Sequence, residues 1–374
     1  MAIFVTGATG YLGAYIVYEL LAQTEERFAL LVRANSLDQA KARLWKAFQL
    51  HMDADEFSQL LPRLDLYIGD ITAPNLGLTN RDWTCLRDST ESIIHAAAIL
   101  NRKSHQACVN VNVRGTLAVI QLARAANTHH GLRRFSLLSS VAVAGHRQDE
   151  IVTEAEAIQW DRPDYDPYGA TKKLTEYLVQ TLLPDISYTI FRPSTVLGDS
   201  RFGKTTQFDT ARALVLLAQT GIIPLQPHWR MDIVSADFVG RAIATLHQKS
   251  QLAHTIYHLS AGEQSLTYRE ILTSLGRAGL FSPILQPPFE WLVQRLATTP
   301  RSWKISRLAT SLKVFMPYLT FNTVFDNQRI IQELGDSPPS FRAYGANLYR
   351  FLVEHHCQFP YQLTPVPSVL ASGV

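Results

Sequence analysis

Cysteine is scarce in this chain. Cys85, Cys108 and Cys357 are three among 374 residues, odd in number and far apart, with no Cys-x-x-Cys and no histidine beside them at metal-ligand spacing. Neither a disulfide scaffold nor a zinc site is implied, and no metal is expected. The adjacent pairs His129-His130 and His355-His356 do not alter this, because neighbours on a helix point about 100° apart and chelate poorly; solvated or capping histidines are expected there. Charge of one sign is lacking too. A formal net charge of +3, without a stripe of Lys and Arg interleaved with aromatics, argues against a nucleic-acid partner. No apolar run reaches the roughly 20 residues of a membrane span. Met1 leads straight into a strand pattern, with no basic leader or cleavage site, so a cytoplasmic protein is expected. No internal repeat is found.

What the chain does have is a composition ordinary for a packed globular protein, 47% hydrophobic and 18% charged, and a length that suits one large domain with an appendage, or two domains. Ala2-Ile3-Phe4-Val5 reads as a short buried strand, followed by a glycine turn and the apolar-periodic helix Ala14 to Leu21. Further apolar strands recur at Phe28 to Val32, Asp65 to Ile68, Ser92 to His95, Phe135 to Leu138, Tyr188 to Phe191 and Thr255 to Leu259. Helical patterns lie between them, at Arg114 to Ala126, Tyr168 to Leu182 and Asp237 to Lys249. This alternation predicts an α/β fold, a doubly wound parallel sheet of the Rossmann kind with helices on both faces. Residues 1–262 are expected to form this domain, with 193–230 as an excursion over the active site. Residues 263–374 are expected to form a smaller helical, aromatic-rich substrate or lid part, carrying Trp291, Trp303, Phe315, Tyr318, Phe321, Phe325, Tyr344, Tyr349 and Phe351. The proline-containing tail from about 360 is expected to be poorly ordered.

Gly7-x-x-Gly10-x-x-Gly13, placed after a strand and opening a helix, predicts a phosphate cradle. Its glycines permit a tight turn and close backbone approach, and the helix N-terminus presents unpaired amides to a pyrophosphate. Thr6, Gly7, Thr9, Gly10, Tyr11, Leu12 and Gly13 are the candidate contacts. The second strand ends in Leu31-Val32-Arg33-Ala34, with Arg33 where an acid would bind the 2′-hydroxyl of NAD. A cation there suits a 2′-phosphate, so NADPH is the expected cofactor; the plainer alternative is a surface charge. Arg43 on the next helix is a second, weaker phosphate candidate. Asp70 and Ile71 follow the third strand, where the carboxylate could lie near the adenine. Ala96, Ala97 and Ala98 follow the fourth and leave room for the ribose.

Tyr168-Gly-Ala-Thr-Lys172 sets a phenol and an ammonium on one helix face at i, i+4. A cation beside a phenol lowers its pKa, and Lys172 is expected to do so for Tyr168. Ser139-Ser140 ends the strand Phe135 to Leu138 at the same sheet edge as the glycine turn, where a hydroxyl can hydrogen-bond a substrate oxygen while Tyr168 protonates it.

The combination of Gly7-Ala-Thr-Gly-Tyr-Leu-Gly13, Ser140, Tyr168 and Lys172 resembles the extended short-chain dehydrogenases/reductases. Val32-Arg33-Ala34, Gly69-Asp-Ile-Thr-Ala-Pro-Asn-Leu-Gly-Leu78 with Trp83, His95-Ala-Ala-Ala98, Asn112-Val-Arg-Gly-Thr116 and Arg192-Pro-Ser-Thr-Val-Leu-Gly-Asp-Ser200 narrow the resemblance. They look like the thioester reductases: the terminal reductase domains of carboxylic acid reductases and nonribosomal peptide synthetases, and the fatty acyl-CoA reductases. These motifs span about residues 3 to 240. The resemblance implies hydride transfer from NADPH to the carbonyl of an acyl thioester on a phosphopantetheine arm, releasing an aldehyde that can be reduced again to the alcohol. In that scheme Tyr168 is the general acid, Lys172 binds the nicotinamide ribose and tunes Tyr168, and Ser140 orients the carbonyl oxygen. Asn112 pins the catalytic strand, and Pro193, Ser194 and Val196 lie beside the nicotinamide.

Two departures stand out. Relatives carry Ser-Thr where this chain has Ser139-Ser140, a change that keeps the hydroxyl, and Arg-Pro-Gly where it has Arg192-Pro193-Ser194. No adenylation or carrier domain fits within this length, so the acyl group is expected to arrive activated, on coenzyme A or an acyl carrier protein. Phe315-Met-Pro-Tyr-Leu319 with Phe325-Asp-Asn327 is similar to the tail of bacterial acyl-CoA reductase-like proteins. Segment 289–319 carries Arg295, Arg301, Lys304, Arg307 and Lys313 against Glu290, with Trp291 and Trp303. That pattern suits docking on a membrane surface or an acidic carrier protein, and equally a lid with a solvated basic face. Two other functions use the same fold: reduction or oxidation of a free ketone or alcohol, as in hydroxysteroid dehydrogenases and dihydroflavonol reductases, and a non-catalytic nucleotide sensor. An epimerase would favour an acid where Arg33 stands. Oligomeric state is not readable.

Overall fold

The computed structural model describes residues 1–299 and 322–362, together with 309, 312, 313, 316 and 318–320. Trp303, Phe315, Phe321, Arg301, Lys304 and Arg307, and most of the tail, lie outside the described residues.

Seven strands form one parallel sheet: β1 (Ala2–Thr6), β2 (Arg27–Val32), β3 (Leu64–Ile68), β4 (Thr90–His95), β5 (Arg134–Leu138), β6 (Tyr188–Pro193) and β7 (Ile256–Leu259). Their spatial order is β7-β6-β5-β4-β1-β2-β3. Strand order reverses between β1 and β4, and in such sheets the crevice at the carboxyl ends of that strand pair takes the ligand. Ile3 pairs with Phe28 and Ser92, so the first strand is hydrogen-bonded on both edges.

The central strands are buried on both faces, as the continuous apolar runs predict, whereas the edge strand β3 is only half-buried. Alternation along β1 divides its side chains. Ile3 and Val5 pack with Ile16 and Leu20 of α1 (Tyr11–Gln23), Leu44 and Phe48 of α2 (Leu37–Phe48), and Phe238, Ala242 and Leu246 further along. Ala2 and Phe4 pack on the other side with Val119, Leu122 and Ala126 of α3 (Gly115–His130). A period of two in the strands thus meets two helical layers. The helix α4 (Pro167–Leu182) starts on a side-chain cap in which Asp166 accepts the Gly169 amide at 2.9 Å, with Pro167 at its first position.

Beyond β6 the chain runs through Thr195–Val196, which pairs in parallel with Ile233–Val234, and through α5 (Asp209–Thr220) before α6 (Ala236–Gln248) returns to the sheet. A separate apolar cluster joins this stretch to the C-terminal part. Leu214, Leu217 and Ile223 pack there with Ile271 and Leu272 of α7 (Tyr268–Ser274), and with Phe341, Tyr344 and Leu348. The described residues of this part also include α8 (Gln286–Ala297) and α9 (Phe341–Glu354). Between them Val324–Phe325 pairs with Ile151–Val152, and Ile330, fully buried, enters the core beneath the sheet.

Candidate active site

Tight backbone packing follows β1. Gly7 has φ +82°, and a Cβ there would lie 2.6 Å from the Ala97 amide nitrogen; one on Gly13 would lie 2.0 Å from the Gly7 carbonyl oxygen. Only glycine fits either position. α1 begins at Gly10 with no side-chain cap, leaving the amides of its first turn directed at the crevice. This is a cradle for an anion, and a dinucleotide pyrophosphate fits it by the chemistry of its donors and by the space the missing Cβ atoms leave.

One cavity of about 320 Å³ opens from this turn across the ends of β4, β5 and β6. Of the residues singled out from sequence, Gly7, Gly10, Tyr11, Leu12, Gly13, Ala96, Ala98, Ser140, Tyr168, Lys172, Pro193, Ser194 and Val196 line it. The remainder sit around it. Thr6 is buried beneath the turn, where its Oγ1 meets His95 Nδ1 at 2.7 Å and accepts the Ala97 amide at 3.3 Å. Burial holds His95 neutral, its pKa pushed down to about 3. Thr9 is half-buried on the turn. Ile71 turns into the core instead of the crevice, against Gly115.

At the far end, Arg33 extends from β2 with its side chain 73% exposed, 3.8 Å from Asp70. Arg43 donates to the Arg33 carbonyl at 2.6 Å, so both guanidinium groups stand at one edge. Asp70 itself accepts the Thr72 amide and hydroxyl, each at 2.8 Å.

β5 ends in the two serines, and they do different things. Ser139 is buried and donates to Glu176 at 2.5 Å. Glu176 also receives Arg192 Nη2 at 2.6 Å, and neither partner is reached by solvent to more than 2%. This buried pair fastens α4 to β6 under the cavity floor. Ser140 caps the turn Val141–Ala144 and presents its hydroxyl to the Tyr168 phenol.

Tyr168 and Lys172 rise from α4 into the same cavity. Lys172 donates to the Leu138 carbonyl at 2.6 Å, and its Nζ lies 5.8 Å from the centre of the Tyr168 ring. The expectation that Lys172 lowers the Tyr168 pKa is not met here. Burial pushes the phenol up to about 12, and the groups that pull it back are the Ser140 hydroxyl and the charge of Arg102. Burial likewise brings Lys172 down to about 8, with Glu176 one helical turn on opposing the shift. Asn112 also acts elsewhere than expected. It accepts the Ile99 amide at 2.8 Å and donates to Thr171 at 3.0 Å, tying the loop after β4 to α4 and not to the β5 strand.

Three further candidates emerge from the structure: Arg102 and Asp232 have no local sequence signature, and Tyr318 is marked by sequence only as an aromatic of the C-terminal part. Arg102, on the loop after β4, lines the cavity 3.8 Å from Asp166 and 4.1 Å from the Tyr318 ring centre. Tyr318 lines it as well and donates to Asp166 at 2.8 Å, joining the C-terminal part to the cap of α4. Asp232 explains the Ser194 departure: it accepts the Ser194 hydroxyl at 2.6 Å and the Ala261 amide at 2.8 Å. Burial raises its pKa to about 6. The other wall of the cavity is apolar, with Ala213, Leu214, Leu217, Ile223, Ile271 and Leu272.

Residues 5–243 match the NAD_binding_4 family, described as male sterility protein. The chain is 30% identical to the isonitrile lipopeptide synthase of Mycobacterium tuberculosis over 65% of its own length and 11% of that protein. It is 26% identical to a carboxylic acid reductase of Mycobacterium marinum over 83% of its length and 28% of that protein. The chain thus spans only a minor part of these curated relatives. Among solved structures, it resembles the terminal R domain of the myxalamid biosynthetic pathway, with a TM-score of 0.80, 23% identity, and 96% and 91% of the two chains covered. It also resembles the reductase domain of a Mycobacterium tuberculosis nonribosomal peptide synthetase, with a TM-score of 0.74, 22% identity, and 95% and 92% covered. The chain therefore belongs to the NAD_binding_4, or male sterility protein, family, in keeping with the thioester-reductase type of extended short-chain dehydrogenase/reductase that its motifs resemble.

Proposed function

We propose that this chain is an NADPH-dependent reductase of acyl thioesters, delivered on coenzyme A or an acyl carrier protein, that releases the aldehyde and can reduce it further to the alcohol. The observation that carries the reading is a single cavity holding the glycine cradle, the group Ser140, Tyr168 and Lys172, and an apolar wall. Relatives that include a carboxylic acid reductase support the thioester as substrate.

In this reading Gly7, Gly10 and Gly13 with the α1 amides hold the pyrophosphate, Arg33 and Arg43 hold a 2′-phosphate, and Ala96 and Ala98 border the ribose. The bound nicotinamide supplies a hydride. Ser140 donates to the substrate carbonyl oxygen and orients it. Tyr168 gives its phenolic proton to that oxygen as negative charge builds there. Burial keeps the phenol protonated at neutral pH, so it is present as an acid. Collapse of the resulting hemithioacetal then breaks the carbon–sulfur bond and yields aldehyde and thiol. Lys172, held by the Leu138 carbonyl at 2.6 Å, is assigned the nicotinamide ribose, and the Ser140 hydroxyl and the Arg102 charge favour the phenolate that remains. Residues 1–262 are assigned the cofactor-binding role and 263–374 the substrate role, in a cytoplasmic enzyme.

The test is NADPH oxidation, followed by absorbance, with a panel of acyl-CoA thioesters and the matching aldehydes and ketones. Turnover with thioesters is expected. Turnover confined to ketones or aldehydes would replace the reading with a carbonyl reductase on the same scaffold.

A further inference from the structure

We propose that the face built by residues 280–295, together with Ile222, is a contact surface for anionic membrane lipid that backs the apolar end of the active cavity. Leu280–Phe281 pairs in parallel with Ile222–Ile223. In that pair Ile223 lines the cavity while its neighbour Ile222 faces outward. α8 repeats the pattern: Val293 is buried with Ala213, itself a cavity residue, whereas Trp291 and Leu292 are exposed. Ile284 is 86% exposed, Leu280 68% and Trp291 59%. Single exposed apolar side chains are ordinary, but a cluster of them on one short stretch marks an interaction surface.

The charge carried by this stretch of the sequence selects the occupant. From residue 271 to 313 the sequence carries Arg277, Arg295, Arg301, Lys304, Arg307 and Lys313 against Glu290. Arg277, Arg295 and Lys313 are exposed. None of these three has a salt-bridge partner among the described residues. Arg295 stacks over the Trp291 ring at 5.6 Å. Aliphatic side chains, an amphipathic ring and flanking cations are what an interfacial segment presents to a bilayer: the apolar groups enter the acyl boundary and the cations meet lipid phosphates. An acidic protein would satisfy the cations but gives no account of aliphatic side chains as bare as Ile284 and Leu280. The consequence rests on the acyl-thioester reading, since an apolar substrate chain, or the water-insoluble aldehyde made from it, would pass between cavity and bilayer across this wall.

Sedimentation with vesicles of phosphatidylcholine and phosphatidylglycerol in equal parts, against phosphatidylcholine alone, tests the surface in wild type and in the double variant I284E/W291E. Anionic vesicles are expected to carry wild type into the pellet, with affinity roughly tenfold weaker in the variant and at high salt. The variant is expected to keep the wild-type melting temperature and the wild-type rate on a short, water-soluble acyl-CoA. Wild type remaining in the supernatant, or pelleting that the variant does not weaken, overturns the proposal. So does a variant that loses rate only with a carrier-protein-borne thioester, which would make the surface a protein site. Vesicle binding is read without substrate or cofactor, so absence of turnover with every thioester would defeat the reductase reading and leave this test standing.

Discussion

Replacing Lys172 by methionine should abolish turnover and yet make the cofactor-free protein more stable. The ammonium is buried, and burial displaces its pKa from 10.5 to about 8. That displacement corresponds to roughly 3 kcal/mol by which the folded chain disfavours the charged form relative to the unfolded chain. Methionine of similar length removes this cost. It also removes the bond to the Leu138 carbonyl, and an unsatisfied buried acceptor costs about 1 to 2 kcal/mol. A net gain of about 1 to 2 kcal/mol remains, a rise in melting temperature of roughly 1 to 3 °C for a chain of 374 residues. The pH dependence fixes the cause. Below pH 8 the lysine is charged in the folded and unfolded chains alike, so the whole penalty acts on wild type. Between 8 and 10.5 the folded chain has released the proton and the unfolded chain still holds it, so wild-type stability rises with pH. Above 10.5 both are neutral and the penalty is gone. The melting-temperature difference between Lys172→Met and wild type, measured by calorimetry without cofactor, should therefore be largest near pH 7 and close as pH rises from 8 to 10.5. A variant that melts below wild type at pH 7, or a difference that ignores pH over that window, would refute the reasoning.

Tyr168→Phe should keep cofactor affinity, measured by fluorescence titration, and lower turnover by about 100-fold or more, the scale of a lost general acid; near-normal turnover would remove Tyr168 from the chemistry. Arg33→Ala should weaken NADPH far more than NADH in paired KM measurements, because the guanidinium would serve the 2′-phosphate alone; equal loss for both cofactors would make Arg33 a surface charge. Asp232→Asn should leave stability at pH 7 unchanged or slightly higher. The buried carboxyl, with its pKa raised to about 6, costs the folded chain stability as pH rises from 3.8 to 6. The amide keeps an acceptor for Ser194, and denaturant melts at pH 4 and pH 7 should show the pH effect lost in the variant.

The sheet was readable because its signals are local. Each of the seven strands is a short apolar run closed by a turn, and the glycine spacing after the first answers to contacts within a few residues, such as Gly13 against the Gly7 carbonyl. The elements joining β6 to β7 were harder to place, since short pairs such as Arg230–Met231 with Leu266–Thr267 bring together segments that no periodicity links. Tyr168 and Lys172 could be paired from their i, i+4 spacing alone. Their electrostatics could not, because the pKa of a buried phenol depends on what closes over it, and here that includes Arg102 from the loop after β4.

Arg102, Tyr318 and Asp232 show what a linear reading lacks. Each acts through a partner far along the chain: Tyr318 on Asp166, Asp232 on Ser194. The serine in Arg192-Pro193-Ser194 is legible only as a departure from its relatives until Asp232 is seen beneath it. A glycine at 194 would offer no hydroxyl to Asp232, and a buried carboxylate without that donor would be costlier still. The serine and the aspartate are therefore one device, fixing the backbone at the cavity wall to the strand pair that leads into the C-terminal part. Through Tyr318 that same part holds the cap of the helix bearing Tyr168. Both walls of the reacting cavity are thus tied to the segment that would cover the substrate.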